Sequence, residues 1–260
     1  MYNLPEMRSA NAAFWAALCR VLTEYGIATP EALTFERPPV PERIGAEVLF
    51  SQTCGYPLET IFRGQAARLG TPCYDAPGCI GPTHCGVFVI PMRSSADKLS
   101  DLRGGTFLLN SRHSNSGMNL PRRALADIAG GRPFFGRIVE TGSQPGNLDR
   151  IAREEADATC VDCVTYAFWC RYRSEAASRT RILAQTPPSP AIPFVTSAAT
   201  SPETVAVLRQ ALRRLVSEEQ FAAERAGLLV TDIVDVPEER YRALLDYEKA
   251  AAQLGYSVLA

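Results

Sequence analysis

The sequence has almost no lysine, little net charge and no long hydrophobic run. Only Lys98 and Lys249 contribute lysine to the 27 basic residues, which nearly balance 28 acidic ones in a chain of 260 residues with net charge −1. Without a basic surface, neither nucleic acid nor an anionic membrane is expected as the main partner. No stretch approaches the roughly 18 apolar residues of a membrane span, so membrane insertion is not expected.

The amino terminus also lacks the basic and then apolar pattern of a signal peptide. We therefore expect a cytoplasmic protein, and a periplasmic one only if the true start lies upstream. A chain of this length can bury a large core without disulfides, so the eight cysteines are expected to be reduced and mostly buried as small apolar side chains.

Metal and cofactor chemistry are not favoured. Cys73, Cys79 and Cys85 do not repeat the paired spacing of a structural zinc site, and His84 is a lone additional candidate. The C-x-x-C match that ends at Cys163 begins inside a predicted strand, unlike a redox motif at a helix start. Walker, dinucleotide-binding and serine-hydrolase signatures are also missing, so we predict no cofactor, no metal and a binding site rather than a catalytic one.

Apolar runs and turn residues predict alternating helices and short strands. Strands are predicted at 47–50, 87–90, 106–109, 138–139, 158–161 and 182–184. Helices are predicted at 5–25, 56–69, 148–155, 164–173, 218–226 and 237–254. Two more helices are predicted, one after the loop 110–117 and one from residue 201. A proline-rich connection follows the first helix, and 71–86 is a loop-rich region. This alternation indicates an α/β protein with mainly parallel sheets flanked by helices.

The loop-rich region and the proline-rich stretch 187–190 divide the chain into two predicted lobes. Lobe one comprises residues 1–86 and 190–260, and lobe two comprises residues 87–189. We expect a ligand in the cleft where the carboxyl ends of the strands of both lobes face each other.

A polar loop at 110–117 is the most informative local feature. The hydroxyls of Ser114 and Ser116, with free amides and the dipole of the following helix, form a generic oxyanion site to which His113 could donate. The alternative is that Ser116 only caps the helix. Asp162 and Thr165 lie at another such loop, and for that pair taken alone a helix cap with a hydroxyl is the favoured account.

Five segments together resemble a branch, without a signal peptide, of the phosphate/phosphonate-binding-protein-like family. They are Met1–Glu6, Ser51–Leu58, Asp75–Cys79, Ser114–Gly117 and Val161–Thr165. The resemblance implies the type 2 periplasmic-binding-protein fold. It also implies an oxyanion held by the loop that ends in Ser-Gly, an aromatic lining of the cleft, and an acidic residue facing an amino group of the ligand. The ligand-binding residues implied or expected in this way are Tyr2, Gln52, Cys54, Tyr56, His113, Ser114, Asn115, Ser116, Gly117, Gln144, Asp162 and Thr165.

Two departures from the family pattern stand out. Gln144 occupies the position at which the family commonly carries a histidine, so it can hydrogen-bond without bringing positive charge. Family members also have a short apolar strand before the Met-Tyr element; we expect either that this strand is missing or that the true start lies upstream, and that an upstream extension would raise the melting temperature.

The leading hypothesis is a solute-binding protein that closes on a small anionic or zwitterionic ligand, such as a phosphonate or a phosphate-like compound, without chemistry. An ABC transporter or a signalling protein is a possible partner. The alternatives are a ligand sensor, and a thiol-dependent or cofactor-biosynthetic enzyme related to the thiamine-pyrimidine synthases, in which Cys54 would be the nucleophile.

Overall fold

The computed structural model describes residues 2–36 and 43–260. Met1 and residues 37–42 of the predicted proline-rich connection lie outside the described residues. The helices are α1 (Arg8–Glu24), α2 (Gly55–Glu59), α3 (Leu120–Ala129), α4 (Gln144–Ala152), α5 (Cys163–Tyr172), α6 (Ser174–Ala177), α7 (Pro202–Ser217), α8 (Ala222–Gly227), α9 (Glu238–Arg242) and α10 (Leu244–Gln253). The strands are β1 (Ser51–Gln52), β2 (Ala66–Tyr74), β3 (Thr83–His84), β4 (Gly86–Pro91), β5 (Thr106–Leu109), β6 (Arg137–Glu140), β7 (Ala158–Asp162), β8 (Thr180–Gln185), β9 (Ser189–Pro190), β10 (Phe194–Ser197) and β11 (Val230–Val234). Short 3-10 turns occupy Pro5–Met7, Leu99–Leu102 and Glu219–Phe221, and a π-helical turn at Asn115–Asn119 leads into α3.

The chain divides into two compact units, each made of three segments. Unit 1 comprises Met1–Ala76, Ile80–Thr83 and Pro190–Pro237, and unit 2 comprises Pro77–Cys79, His84–Ser189 and Glu238–Ala260. The predicted lobes differ from these units mainly at the carboxyl end, because residues 238–260 were assigned to lobe one.

Hydrogen bonds explain why the carboxyl-terminal segment belongs to unit 2. The buried Asn119 side chain donates from Nδ2 to the carbonyl of Leu244 at 3.0 Å, and Arg122 donates to the carbonyl of Ser257 at 3.0 Å. The amide of Phe134 donates to the carbonyl of Ala260 at 2.7 Å. The helical periodicity of 237–254 predicted the helices but carries no information on which sheet they cover.

Unit 1 contains a sheet in the order β1-β10-β2-β11 with helices α1, α7 and α8 packed together beside it. Helix α1 forms because apolar residues recur on one face, and that face is buried through Phe14, Leu18, Val21 and Leu22. The Phe14 ring stacks on Phe194 of β10 at 5.9 Å. Aromatic packing therefore attaches the first helix to a strand that comes about 180 residues later in the chain.

The predicted parallel pairing is wrong for unit 1, where every pairing among the described strands of this sheet is antiparallel. Alternating strands and helices give parallel neighbours only when consecutive strands pair across a helix. Here β2 pairs instead with β10 and β11, which come from the last third of the chain, so its direction is fixed by long-range contacts.

Strand β2 lies where the sequence predicts the end of a helix and a loop. Gly70 and Pro72 favour a loop, but the strand tolerates both because residues 66–70 pair only with β10 and residues 71–74 only with β11. Pro72 therefore needs no ladder hydrogen bond on its other side. A Cβ atom at Gly70 would lie 2.7 Å from Ile233, which requires glycine there. The predicted helix 56–69 shrinks to α2. The predicted strand 47–50 is wrong, since those residues form turns and bends and β1 begins only at Ser51. Strand β11 was not predicted.

Unit 2 contains a sheet in the order β6-β5-β7-β4-β8. Strand β5 is parallel to both β6 and β7, whereas β4 is antiparallel to β7 and β8. The parallel prediction is thus correct for the three strands that carry the polar loops. Because parallel strands end at the same edge of a sheet, the loops after β5, β6 and β7 lie side by side.

Candidate functional site

The loop after β5 ends in a helix start built by Ser114. Ser114 has extended backbone angles, and its hydroxyl accepts a hydrogen bond from the amide of Gly117 at 2.9 Å. The π-helical turn and α3 are continuous, since Asn119 and Leu120 both have helical backbone angles. Ser114 is therefore the helix cap, and the alternative that Ser116 serves as the cap is wrong.

Ser116 is instead free of the capping role and lies completely buried. Its hydroxyl accepts a hydrogen bond from Nε2 of Gln144, the first residue of α4, at 3.0 Å. The Oε1 atom of Gln144 in turn accepts from the backbone amide of Asp162, also at 3.0 Å. Gln144 thus connects the three loops at the edge of the unit 2 sheet, and Ser143 before it caps α4 through the amide of Gly146 at 3.0 Å.

Asp162 ends β7 and caps α5. Its Oδ1 atom accepts from the amides of Val164 at 2.8 Å and Thr165 at 3.3 Å. Its Oδ2 atom pairs with the ring Nδ1 of His84, and both side chains are about 1% exposed. The capping role considered for Asp162 is confirmed. Its contact with a ligand amino group stays a prediction, as does a ligand role for Thr165, which is also buried.

Electrostatics at this pair favour a charged histidine. Burial on its own would lower the pKa of His84, but attraction by Asp162 and the hydrogen bond to it outweigh burial and raise that pKa. A protonated His84 beside an ionised Asp162 leaves the pair close to neutral overall. Sequence reasoning weighed His84 only as a lone metal ligand, because nothing in a spacing of 78 residues points to Asp162.

Two further predicted residues of the loop 110–117, Asn115 and His113, differ in burial. Asn115 is buried, donating from Nδ2 to the hydroxyl of Ser189 at 3.1 Å and accepting from Asn119 at 3.2 Å. These bonds give Asn115 a structural role. His113 is exposed, with its amide bonded to the hydroxyl of Ser111 at 3.1 Å.

Gly117 allows the loop to pass close to the end of β5. A Cβ atom at this position would lie 1.9 Å from Oδ1 of Asn110. That Oδ1 atom is buried and has no hydrogen-bond partner among the described residues. Any side chain at Gly117 would therefore have to displace the side chain of Asn110.

The predicted residues of unit 1 form a separate group. Gln52 of β1 donates from Nε2 to the hydroxyl of Tyr74 at 2.8 Å and to the carbonyl of Ile192 at 3.0 Å. The ring of Tyr2 meets Tyr74 edge to face at 5.4 Å. Tyr74, which was not predicted, thus brings Tyr2 and Gln52 together. Cys54 directly precedes the five-residue α2, which carries Tyr56, and both side chains are buried.

Two further findings concern ions and membranes. Within residues 2–36 and 43–260, no group of three or more histidine, cysteine or acidic side chains is placed to hold a metal ion. In the same part of the chain, no helix combines the length and apolar character needed to cross a bilayer.

Comparisons with known proteins agree with this architecture. The family model described as "ABC transporter, phosphonate, periplasmic substrate-binding protein" matches residues 76–241. No curated protein sequence matches the chain. The Xanthomonas citri protein XAC2383 bound to ATP is similar in structure, with a TM-score of 0.68, 19% identity and 95% of each chain covered.

Two more solved structures resemble the chain. The binding protein component of an ABC phosphonate transporter from Pseudomonas aeruginosa, PA3383, has a TM-score of 0.62 at 15% identity, covering 79% of this chain and 78% of its own. PhnD1 from Prochlorococcus marinus in complex with methylphosphonate has a TM-score of 0.56 at 13% identity, covering 71% and 72%.

The likeness to these structures confirms the predicted periplasmic-binding-protein fold. The class defined by the fold and by the family is that of solute-binding proteins. The family model covers well over half of the sequence, so the chain belongs to the family of phosphonate-binding, periplasmic substrate-binding proteins of ABC transporters.

Proposed function

We propose that unit 2 binds the oxyanion of a small phosphonate or phosphate-like compound at the start of the helical run 115–129. The hydroxyl of Ser116, the amides at that helix start and the side chain of Gln144 would hold the ligand. No step of chemistry is part of this proposal.

The observation that carries the proposal is the hydrogen bond from Gln144 to Ser116. A hydroxyl has one proton to donate and two lone pairs with which to accept. Because Ser116 accepts from Gln144 at 3.0 Å, its own proton stays available for an acceptor. An anionic oxygen is the strongest acceptor such a hydroxyl can meet.

Backbone amides add to this donor set. The π-helical turn bonds residue 119 back to residue 114, so helical geometry supplies no acceptor for the amides of Asn115 and Ser116. Amides at a helix start attract anions through their partial positive charge. Anion binding here would need no lysine or arginine, in keeping with a net charge of −1.

Charge near the site also supports an anionic ligand. A carboxylate at Asp162 would repel an oxyanion, but its pairing with His84, whose pKa is raised, offsets the negative charge. Because both oxygens of Asp162 already accept internal bonds, we expect an amino group on the ligand to add little affinity. Methylphosphonate should then bind about as well as 2-aminoethylphosphonate.

Family membership supports a role in delivering the ligand to an ABC transporter in the periplasm, and we include that partner and that location in the proposal. The Gln52, Tyr2 and Tyr74 group, with Cys54 and Tyr56, remains a second set of proposed ligand contacts on unit 1.

Calorimetric titration and thermal shift with methylphosphonate, 2-aminoethylphosphonate, phosphate and sulfate test the proposal. A ligand that binds only the folded state raises the melting temperature. Ser116→Ala should weaken the best ligand by at least about 10-fold, since a hydrogen bond to a charged group contributes about 1.5–3 kcal/mol. Ser178→Ala, at an exposed serine of unit 2, is the matched control and should bind normally. If no oxyanion binds, or if Ser116→Ala binds like the unmodified protein, the proposal fails.

A further inference from the structure

Thiols from distant parts of the sequence meet at the start of α5 in unit 2. Cys163 is the first residue of that helix, and its Sγ atom lies 3.6 Å from Sγ of Cys79. The backbone amide of Cys85 also donates to Sγ of Cys163 at 3.5 Å. Cys79 is partly exposed, whereas Cys85 and Cys163 are buried.

Gly78 makes this approach possible. Its φ is +92°, and a Cβ atom there would lie 2.8 Å from Sγ of Cys85 and 3.3 Å from Sγ of Cys163. A side chain would therefore push the backbone before Cys79 away from the thiols. The segment Pro77–Cys79 belongs to unit 2 although the residues on both sides of it belong to unit 1, and this contact is part of its packing in unit 2.

The charge distribution suits thiol chemistry. Hydrogen bonds from the thiols of Cys79 and Cys85 lower the pKa of Cys163 to about 3. The hydrogen bond to Cys163 and burial raise the pKa of Cys79. At neutral pH the pair thus holds one thiolate and one thiol, and a thiolate is the form that attacks a disulfide.

From the 3.6 Å contact, the partial exposure of Cys79 and the buried position of Cys163, we propose that Cys79 and Cys163 are a redox modification site that closes to a disulfide when an external disulfide is the oxidant. The sulfurs must approach by about 1.5 Å to reach the usual bond length of about 2.05 Å. Side-chain rotation of the partly exposed Cys79 supplies that movement.

The reaction proceeds by two exchanges. The Cys163 thiolate takes the proton of Cys79, and the Cys79 thiolate so formed attacks a sulfur of the external disulfide. This gives a mixed disulfide on Cys79 and a first small thiolate, which takes the proton back from Cys163 and leaves as a thiol. The Cys163 thiolate then attacks Sγ of Cys79, forming the Cys79–Cys163 bond and releasing a second small thiolate, which takes up a proton from solvent. The protein loses two electrons, and the external disulfide gains both and is reduced to two thiols.

The position of the bond gives it a specific effect. Cys163 directly follows Asp162, the residue that caps α5 and pairs with His84. Oxidation would remove the negative charge on Cys163, which helps to raise the pKa of His84. It would also tie the segment Pro77–Cys79 covalently to the start of α5.

The test is oxidation of the full chain with oxidised glutathione, followed by alkylation of the remaining thiols and peptide mass mapping. We expect a peptide linked through Cys79 and Cys163, reversed by dithiothreitol and absent in Cys79→Ser. Cys170→Ser, at another partly exposed thiol of unit 2, should still form the link. Because Cys79 is partly exposed, its serine variant should fold even if Cys163→Ser does not.

A link between other cysteines, a stable glutathione adduct on Cys79 without the internal bond, or complete alkylation of Cys79 and Cys163 after oxidation would each overturn the inference. None of these outcomes depends on oxyanion binding, so the test is independent of the proposed function.

Discussion

Gln144 Nε2 lies 3.0 Å from the hydroxyl of Ser116, and this bond joins the first residue of one helix to the start of another. The Oε1 atom of the same side chain accepts from the backbone amide of Asp162. A neutral side chain that donates on one side and accepts on the other thus orients a hydroxyl without adding charge. An acidic side chain at this position would keep the acceptor and lose the donor.

Replacing Gln144 by Glu therefore tests how the site is oriented. The carboxylate can still accept from the amide of Asp162, but it would also accept the proton of Ser116 and repel an anion. We expect oxyanion affinity to fall by at least about 10-fold in calorimetric titration. Gln253→Glu, at an exposed position of α10, adds the same charge to unit 2 and should bind as before. Equal affinity in the Gln144 and Gln253 variants would contradict this orienting role.

The pairing of His84 with Asp162 predicts a pH dependence of stability. The pKa of His84 is raised in the folded state, so its stabilising contribution is complete below the ordinary value of 6.5 and is lost as pH rises through the folded-state value. The melting temperature of His84→Gln should therefore lie furthest below that of the unmodified protein at pH 6, with a smaller gap at higher pH.

Scanning calorimetry from pH 6 to pH 9 measures that gap. His113→Gln is the matched control, because His113 is the other histidine of the sequence and is exposed. A gap that is constant or widens with rising pH would show that His84 is not charged in the folded protein.

We expect replacement of Asn147 to change only the stability of the protein. This completely buried side chain of α4 donates to the carbonyl of Leu108 and to the hydroxyl of Thr159, both at 3.3 Å, and accepts from Thr141 at 2.5 Å. Asn147→Ala removes all three bonds, while the hydroxyl of Thr159 keeps its bond to the carbonyl of Leu108 at 2.8 Å. The free energy of unfolding in urea should therefore fall by about 1–3 kcal/mol. Asn3→Ala, at an exposed asparagine, should change it by less than about 0.5 kcal/mol. A small effect of Asn147→Ala would mean that the network contributes little.

Local sequence was sufficient for some elements of the fold. The apolar run at 87–90 predicted β4, and Ser201 before Pro202 predicted the start of α7, because strand burial and helix capping depend on neighbouring residues. Strand β2 could not be found in this way, since Gly70 and Pro72 lie in a strand only because β10 and β11 each pair with half of it. The attachment of residues 238–260 to unit 2 depends on the same kind of distant contact.

The candidate site, like the fold, was predicted only in part from local sequence. The polar loop at Ser114–Gly117 was predicted from its own residue types, and the cap at Asp162 was one of two open interpretations. The bond between Gln144 and Ser116 and the pair of His84 with Asp162 join residues 28 and 78 positions apart. Neither residue type nor spacing carries that information, so only the folded chain supplies it.

The division of each unit into three segments also has a consequence for synthesis on the ribosome. The strands of the unit 2 sheet are all present once residue 185 has been made. Strand β2 of unit 1 must wait for β10 and β11, which end at residues 197 and 234. Because domains fold as their segments emerge, the nascent chain completes the sheet of unit 2 first, while the early residues of unit 1 remain without their partner strands.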